Sequence, residues 1–323
     1  MRRVLLTGGA GFVGANLARR LLREGHEVHV TVRPGADPWR LEEIRDDVDV
    51  SPVDLGDAET LGAIVDRVRP EWVFHLAAHG GFSSQTDLQQ MLRANVIGTV
   101  NLVEVARRTG FEAFVNTGSS SEYGFKDTPP AEDEWLDPNS HYAVTKAAAT
   151  LFCRFTARRY GLPLPTLRLY SVYGPWEEPS RLLPTLIARG FRGELPPLVS
   201  PDVARDYVYI EDVVDAYLLA ATHSHSDPGV VYNVGTGVQT SLDEVVGIAR
   251  EVLGITAEPA WGSMPNRAWD TTAWRADNRR LRECLGWQPR YGVVSGFRTM
   301  VSWFRNHPEL TTRYRLPASG ILR

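Results

Sequence analysis

A tyrosine and a lysine four residues apart are the first side chains in this sequence whose types suggest chemistry. Tyr142 and Lys146 belong to the run YAVTK, and on a helix this spacing places both on one face. A phenol titrates near ~10 in water and is a poor base at neutral pH. A neighbouring ammonium group favours the phenolate, which suits proton exchange with an alcohol or sugar oxygen. We therefore predict that Tyr142 and Lys146 are catalytic.

Hydroxyl groups end the β-type run that precedes this helix. The run FVNTGSSSEYG, over residues 114–124, begins as a strand and continues into Ser119, Ser120 and Ser121. Ligands of open α/β sheets bind at the carboxyl ends of parallel strands. We therefore expect these hydroxyls to lie near Tyr142 and to face a ligand.

A glycine-rich turn lies between the first predicted strand and an Ala/Leu-rich helix. A diphosphate requires backbone without Cβ atoms and free N–H groups at a helix N-terminus. We therefore predict a dinucleotide site formed by Gly8, Gly11, Phe12, Val13 and Gly14.

The end of the second predicted strand distinguishes NADP from NAD. It reads Val32-Arg33-Pro34, with no acidic residue to bind a ribose 2′-hydroxyl and repel a 2′-phosphate. Arginine binds phosphate groups in bidentate geometry. Arg33 therefore predicts NADP, with NAD as the alternative if Arg33 is only a solvated surface residue.

Short β-branched runs alternate with longer helical patterns and must position these residues. The predicted strands are Arg2–Thr7, Glu27–Val32, Val48–Val53, Glu71–Leu76, Phe111–Thr117 and Pro163–Leu169, and the long predicted helices are Leu88–Thr109 and His141–Gly161. This alternation predicts an α/β fold with a Rossmann-type doubly wound parallel sheet. We assign the NADP-binding domain to residues 1–172.

A smaller α/β region, mainly for substrate binding, is predicted over residues 173–323, where prolines become frequent. Its predicted elements are strands at Asp206–Tyr209 and Val230–Val234 and helices at Ile210–His223, Ser241–Leu253 and Val294–Asn306.

Composition argues against several classes of protein. The chain has 323 residues and a net charge of −4, so it lacks an overall field that attracts nucleic acid or an anionic membrane. No apolar run spans a bilayer, and the start MRRVLLTGG has no apolar signal segment. The two cysteines form no metal-binding pattern. We expect a cytoplasmic protein with no metal, nucleic-acid or membrane partner.

Several motifs together resemble one family over nearly the whole chain. They are TGGAGFVG at 7–14, HLAA at 75–78, NVIGT at 95–99, YAVTK at 142–146, RLYSVYGP at 168–175, RDYVYIEDV at 205–213 and YNVGTG at 232–237. The sequence resembles the extended short-chain dehydrogenase/reductases, in the group of nucleotide-sugar epimerases, dehydratases and reductases.

The resemblance implies roles for individual residues. Ser119 would hydrogen-bond the reacting sugar oxygen, Tyr142 would be the acid/base, and Lys146 would hold the nicotinamide ribose and lower the tyrosine pKa. Further cofactor contacts would come from Asp54, Leu55, Leu76, Ala77 and Ala78. The residues expected to bind a nucleoside-diphosphate sugar are His79, Ser120, Ser121, Ser171, Arg205 and Arg267. The length of the helices at Leu88–Thr109 and His141–Gly161 suggests a dimer face, so we expect a homodimer, with a buried internal role of these helices as the alternative.

Some of these residues have simpler interpretations. Asp54 could instead cap the next helix, and His79 could form only a loop hydrogen bond. Arg205 and Arg267 could each form a surface ion pair. Ser171 occupies a position where the family often has Asn, which leaves the diphosphate contact at this position open.

The reaction class depends on the residues after Ser119. Dehydratases of the group have a carboxylate at the position of Ser121, and a hydroxyl cannot replace that base. Strand alternation would turn Glu122 to the other face, unless the strand has already ended before it. The run GSSSEYG instead resembles segments of 4-keto-6-deoxyhexose reductases. We therefore predict a reductase of an NDP-4-keto-6-deoxyhexose, with a 4-epimerase as the alternative, a dehydratase third and a non-catalytic NADP-binding regulator last.

Overall fold

The computed structural model describes residues 1–82, 84–266 and 271–315, and a parallel sheet lies at its centre. The strands are β1 (Arg3–Thr7), β2 (Glu27–Val32), β3 (Val48–Pro52), β4 (Trp72–His75), β5 (Ala113–Ser119), β6 (Thr166–Leu169), β7 (Ser171–Tyr173), β8 (Ala204–Arg205), β9 (Tyr207–Tyr209), β10 (Val231–Val234) and β11 (Thr240–Ser241). Seven of these described strands form one parallel sheet in the order β10-β6-β5-β4-β1-β2-β3. The predicted Rossmann-type α/β fold is confirmed.

Helices cover both faces of this sheet. They are α1 (Phe12–Arg23), α2 (Ala58–Val68), α3 (Leu88–Met91), α4 (Gly98–Thr109), α5 (His141–Tyr160), α6 (Leu182–Gly190), α7 (Ile210–Thr222), α8 (Leu242–Leu253), α9 (Arg279–Leu285), α10 (Val293–Asn306) and α11 (Thr311–Tyr314). Leu5 of β1 belongs to the core under α2, α4 and α5, whereas its neighbours Val4 and Leu6 belong to the core on the side of α1 and α7. Alternate residues of one strand are therefore buried on opposite faces.

The predicted helix over Leu88–Thr109 contains a π-helical segment at Leu92–Ile97, between α3 and α4. Asn95 lies in this segment and is fully buried. Its side chain hydrogen-bonds the His79 backbone and the Thr145 hydroxyl, so the wider turn coincides with a polar contact between helices and loop. Helical periodicity does not reveal this local change of pitch.

The chain returns to the central sheet after residue 173. Strand β10 pairs with β6, and α7 contributes Tyr217, whose hydroxyl lies 2.6 Å from that of Thr117 on β5. The predicted division at residue 172 stays a prediction. Strand β10, which lies beyond that residue, is part of the same central sheet as the strands before it.

Helix α5 places the predicted catalytic residues at its start. Ser140 caps the helix by accepting the N–H of Ala143 at 3.2 Å, and Gly161 ends it in a left-handed conformation with φ of 66°. The helix buries Lys146 and leaves Phe155 exposed. Neither α5 nor any other helix in the described ranges has the length and apolar character needed to cross a membrane.

Candidate active site

The carboxyl end of β5 and the first turn of α5 bring Ser119 and Tyr142 together. Ser119 is the last residue of β5, and its hydroxyl lies close enough to the Tyr142 phenol to act on its pKa. The Ser119 hydroxyl also lies 2.7 Å from the hydroxyl of Ser121 and accepts the Ser121 N–H at 3.2 Å. Ser119 and Ser121 therefore share hydrogen bonds at the ligand-binding edge of the sheet, with Tyr142 beside them.

Lys146 follows Tyr142 by one helical turn and is 2% exposed. Burial lowers the pKa of Lys146, an effect that Glu122 opposes. Burial raises the pKa of Tyr142, although the nearby Ser119 hydroxyl acts in the opposite direction. The phenol is therefore protonated at neutral pH in the environment that the chain itself provides. We expected Lys146 to lower the pKa of Tyr142. With the protein side chains alone, the pKa of Tyr142 is raised instead.

Glu122 lies close behind Ser119 but is directed into the core. Strand β5 ends at Ser119 and Glu122 belongs to the following 3-10 turn, so the strand alternation used to orient Glu122 does not apply. The carboxylate is fully buried and accepts a hydrogen bond of 2.8 Å from Nε of Arg168. The reason for setting Glu122 aside, its direction by strand alternation, is therefore wrong; what the structure shows instead is a carboxylate engaged by Arg168 in the core.

Ser120 lines a cavity of about 270 Å³. Its hydroxyl accepts a hydrogen bond of 3.2 Å from Nε1 of Trp274, and the guanidinium of Arg205 lies 5.5 Å from the centre of the Trp274 ring. Tyr170 also lines this cavity, and in the described part of the chain its buried hydroxyl has no hydrogen-bond partner. Trp274 therefore connects the predicted substrate residues Ser120 and Arg205.

The glycine-rich turn fits a dinucleotide. A Cβ atom on Gly8 would lie 2.6 Å from the backbone nitrogen of Ala77, and one on Gly14 would lie 2.4 Å from the carbonyl oxygen of Gly8. Helix α1 begins after Gly11 with no side-chain cap and no acidic residue in its first turn. Its first N–H groups, which belong to residues 12–14, are therefore free to bind a diphosphate.

The segment after β4 lies against this turn. The N–H of Leu76 donates to the carbonyl oxygen of Thr7 at 3.1 Å, and the N–H of Ala77 donates to the Thr7 hydroxyl at 3.3 Å. Ala78 follows and is exposed. The predicted cofactor residues 76–78 are therefore adjacent to the glycine turn.

Arg33 follows β2 with an exposed guanidinium. Its Nη1 lies 3.4 Å from Oε1 of Gln90, near the upper limit for a hydrogen bond. This weak contact leaves Arg33 able to bind a phosphate group.

The predicted adenine-contacting pair lies in the turn before α2. Asp54 forms an ion pair of 2.8 Å with Arg93 and accepts the N–H of Gly56 at 2.8 Å. The interpretation of Asp54 as a helix cap is wrong, because Asp57 caps α2. Leu55 is buried in the core beneath α2 and α4.

His79 is held by its backbone. Its N–H donates to Oδ1 of Asn95 and its carbonyl oxygen accepts from Nδ2 of Asn95, both at 2.8 Å. Partial burial lowers the pKa of the imidazole. The sequence motif contained Asn95, but its role in holding the His79 loop appears only in the structure.

The remaining predicted substrate residues are distributed over the second half of the chain. The N–H of Ser171, on β7, donates to the carbonyl oxygen of Asp206 at 3.0 Å. Arg205, on β8, donates from Nη1 to the carbonyl oxygen of Ala204 at 2.7 Å. Arg267 lies outside the described residues.

Arg181 is a residue near the site that sequence reasoning missed. Its positive charge lowers the pKa of Tyr142, and its guanidinium lies 5.5 Å from the centre of the Phe82 ring. Arg181 stands in the proline-rich segment before α6, where no spacing pattern connects it to Tyr142.

The sequence predicted no metal site. In the described part of the chain, potential ligand atoms of Glu43, His307 and Glu309 lie within 4.8 Å of one another. Glu43 is already paired with Arg19 at 3.1 Å, and none of these residues belongs to the group around Tyr142.

Comparison with known proteins agrees with this geometry. The UDP-glucose 4-epimerase of Mycolicibacterium smegmatis is 34% identical over 95% of this chain and 100% of its own length. The crystal structure of a UDP-glucose 4-epimerase of Thermotoga maritima with UDP-glucose has a TM-score of 0.85 at 29% identity, and the match covers 94% of this chain and 98% of that one. MoeE5 in complex with UDP-glucuronic acid and NAD has a TM-score of 0.82 at 33% identity, covering 94% and 99%.

A family model covers the sheet and most of the site. The NAD dependent epimerase/dehydratase family matches residues 4–235, which include the glycine turn, Ser119, Tyr142 and Lys146. The resemblance to the nucleotide-sugar group of extended short-chain dehydrogenase/reductases is thereby confirmed. The chain belongs to the NAD dependent epimerase/dehydratase family.

Proposed function

We propose that the protein is an NAD-dependent 4-epimerase of a uridine diphosphate hexose. The observation that carries the proposal is the group of hydroxyls at the end of β5, where Ser119 contacts both Ser121 and Tyr142 while Arg168 holds Glu122 in the core. Such a site suits proton exchange at one sugar oxygen, but it lacks a carboxylate base for water elimination. Among the remaining reactions, the full-length similarity to a UDP-glucose 4-epimerase favours epimerisation.

The roles of the side chains in this proposal follow from their positions. In the phenolate form, which a bound cationic nicotinamide ring would favour, Tyr142 accepts the proton of the sugar 4-hydroxyl and returns it once the 4-keto sugar has turned over. Ser119 donates a hydrogen bond to the same oxygen and stabilises the negative charge that develops there. Lys146 would hold the cofactor ribose, and the N–H groups of residues 12–14 would hold the diphosphate. When bound, the cofactor supplies a reversible hydride acceptor.

A reductase of a 4-keto-6-deoxyhexose is the second candidate. It would use the same three residues but consume NADPH. Arg33 favours it, because an exposed guanidinium at the end of β2 suits a 2′-phosphate. Neither reduction nor a preference for NADP is confirmed, and the MoeE5 complex contains NAD.

The role of Tyr142 is tested by Tyr142→Phe, which removes the hydroxyl and keeps the ring. We expect kcat to fall by roughly two to four orders of magnitude, the usual scale for acid–base catalysis, while cofactor binding is retained. Tyr160→Phe is the matched control, since Tyr160 is an exposed tyrosine of the same helix. A Tyr142→Phe enzyme with more than about a tenth of wild-type turnover would exclude this role.

The reaction class is tested with UDP-glucose and UDP-glucuronic acid as substrates. We expect the 4-epimer as product by NMR, with no net change in nicotinamide absorbance. Steady oxidation of NADPH with a 4-keto-6-deoxy sugar nucleotide, and no epimerisation, would establish the reductase instead. Formation of a 4-keto-6-deoxy product from a hexose would contradict both candidates.

Arg33→Ala tests whether the guanidinium group at the end of β2 binds the 2′-phosphate of NADPH. A charge-assisted hydrogen bond contributes ~1.5–3 kcal/mol, so we expect NADPH affinity to fall about tenfold or more. NADH affinity should change little, because NADH has no 2′-phosphate. Arg108→Ala, at an exposed arginine near the end of α4, is the control. Equal losses for the two cofactors in calorimetric titrations would leave Arg33 without a role in phosphate binding.

A homodimer through the outer face of α5 is part of the proposal. Val144, Leu151 and Phe155 recur at helical spacing on this face and are 49%, 56% and 66% exposed. Covering them against a second copy removes apolar surface from water. We expect Leu151→Lys combined with Phe155→Lys to give a monomer by light scattering. Val238→Lys is the control at an exposed apolar residue outside α5; a wild-type monomer would refute the interface.

A further inference from the structure

A buried carboxylate lies behind the proposed catalytic pair and takes no part in the proposed proton transfer. Glu122 is 0% exposed, and its ion-pair partner Arg168 is 2% exposed. Burial of two charges costs solvation free energy, which is regained only when good geometry and further hydrogen bonds satisfy the pair. The hydrogen bonds of Glu122 therefore indicate what this charge holds in place.

The two carboxylate oxygens of Glu122 reach three separate elements. Oε1 accepts the backbone N–H of Ser119 at 2.8 Å and the hydroxyl of Thr150 at 3.0 Å. Oε2 accepts Nε–H of Arg168 at 2.8 Å. Ser119 ends β5, Thr150 lies on α5 and Arg168 lies on β6. One side chain therefore connects the end of β5 to the helix that carries Tyr142 and to the neighbouring strand.

Thr150 belongs to the same row of α5 as the proposed catalytic residues. Tyr142, Lys146 and Thr150 follow one another at intervals of four residues, so their side chains lie along one side of the helix. A displacement of α5 at Thr150 therefore moves Tyr142 relative to Ser119.

Gly118 leaves the space that this carboxylate occupies. A Cβ atom at residue 118 would lie 2.7 Å from Oε1 of Glu122 and 3.0 Å from Cγ of Arg168. A larger residue would push the carboxylate away from both Ser119 and Thr150.

We propose that Glu122 is a positioning residue that fixes the Ser119 hydroxyl against Tyr142 by holding the turn after β5 to helix α5. The proposal rests on the proposed roles of Ser119 and Tyr142, and it adds Glu122 as a residue that does not itself exchange a proton. Glu122 acts through Ser119 and Thr150, and Arg168 keeps its charge inside the core.

The charge of Glu122 also acts on α5. It raises the pKa of Tyr142 and opposes the lowering of the Lys146 pKa by burial. The other charged or titratable groups that face Tyr142 are Arg181, which lowers its pKa, and Tyr217 on α7. Neutralising Glu122 removes a negative charge and leaves Arg168 unpaired. Both changes favour the phenolate, so the pKa of Tyr142 should fall.

Glu122→Gln tests the charge with little change in shape. The phenolate absorbance of Tyr142 is isolated by subtracting the spectrum of the same protein that also carries Tyr142→Phe. We expect its titration midpoint in Glu122→Gln to lie lower than in the wild-type protein by about 1 pH unit. A midpoint that is unchanged or higher would overturn the electrostatic role. This measurement requires no turnover, so its outcome is independent of the proposed reaction.

Thr150→Val and Thr150→Ser test the positioning and leave the ion pair intact, even if Glu122→Gln fails to fold. Val matches the shape of Thr without the hydroxyl, whereas Ser retains the hydroxyl. We expect the Val variant to lose about tenfold or more in kcat with an unchanged KM, and the Ser variant to keep wild-type kcat. Equal kcat in both variants would overturn the proposal. A fully active Tyr142→Phe enzyme would instead refute the proposed function.

Discussion

The contact between the carboxyl end of β5 and the inner row of α5 is the constraint on which the site depends. Ser119 and Tyr142 meet there, and Glu122 receives hydrogen bonds from both elements. The end of β5 and helix α5 are separated in the sequence by a long loop. Only the packing of the helix against the sheet therefore holds the side chains of these two elements together. Because protein interiors are dense and transmit small displacements, the geometry of this contact determines the geometry of proton transfer.

The glycine turn depends on the same sheet. Parallel strands end at one edge, so the turn after β1 and the segment after β4 come together beside the end of β5. Gly8 and Ala77 approach so closely that no side chain fits between them. The backbone packing that shapes the proposed diphosphate site is therefore also the packing that orders the central strands.

The distribution of charge around Ser119 is the basis for proposing epimerisation over elimination. The acidic residue closest in sequence to Ser119 is paired with Arg168 in the core, and hydroxyls occupy the edge of the sheet. Burial also raises the pKa of Tyr142, while Arg181 and the Ser119 hydroxyl act in the opposite direction. The acidity of the phenol is therefore a balance among groups from several elements, and a bound cofactor would add its own charge to that balance.

The sequence by itself determined the sheet and the glycine turn, because hydrophobic periodicity and glycine spacing act over short distances. It also determined the grouping of Ser119 with Tyr142, because the rule that ligands bind at strand ends applies to the whole fold. Tertiary structure alone decided the direction of Glu122, the π-helical turn around Asn95 and the approach of Arg181 to Tyr142. Each depends on a partner distant in sequence: Arg168 on β6, the loop at His79 and the segment before α6. Local patterns do not specify which buried polar groups meet, since that follows from satisfying every hydrogen bond once the chain is packed.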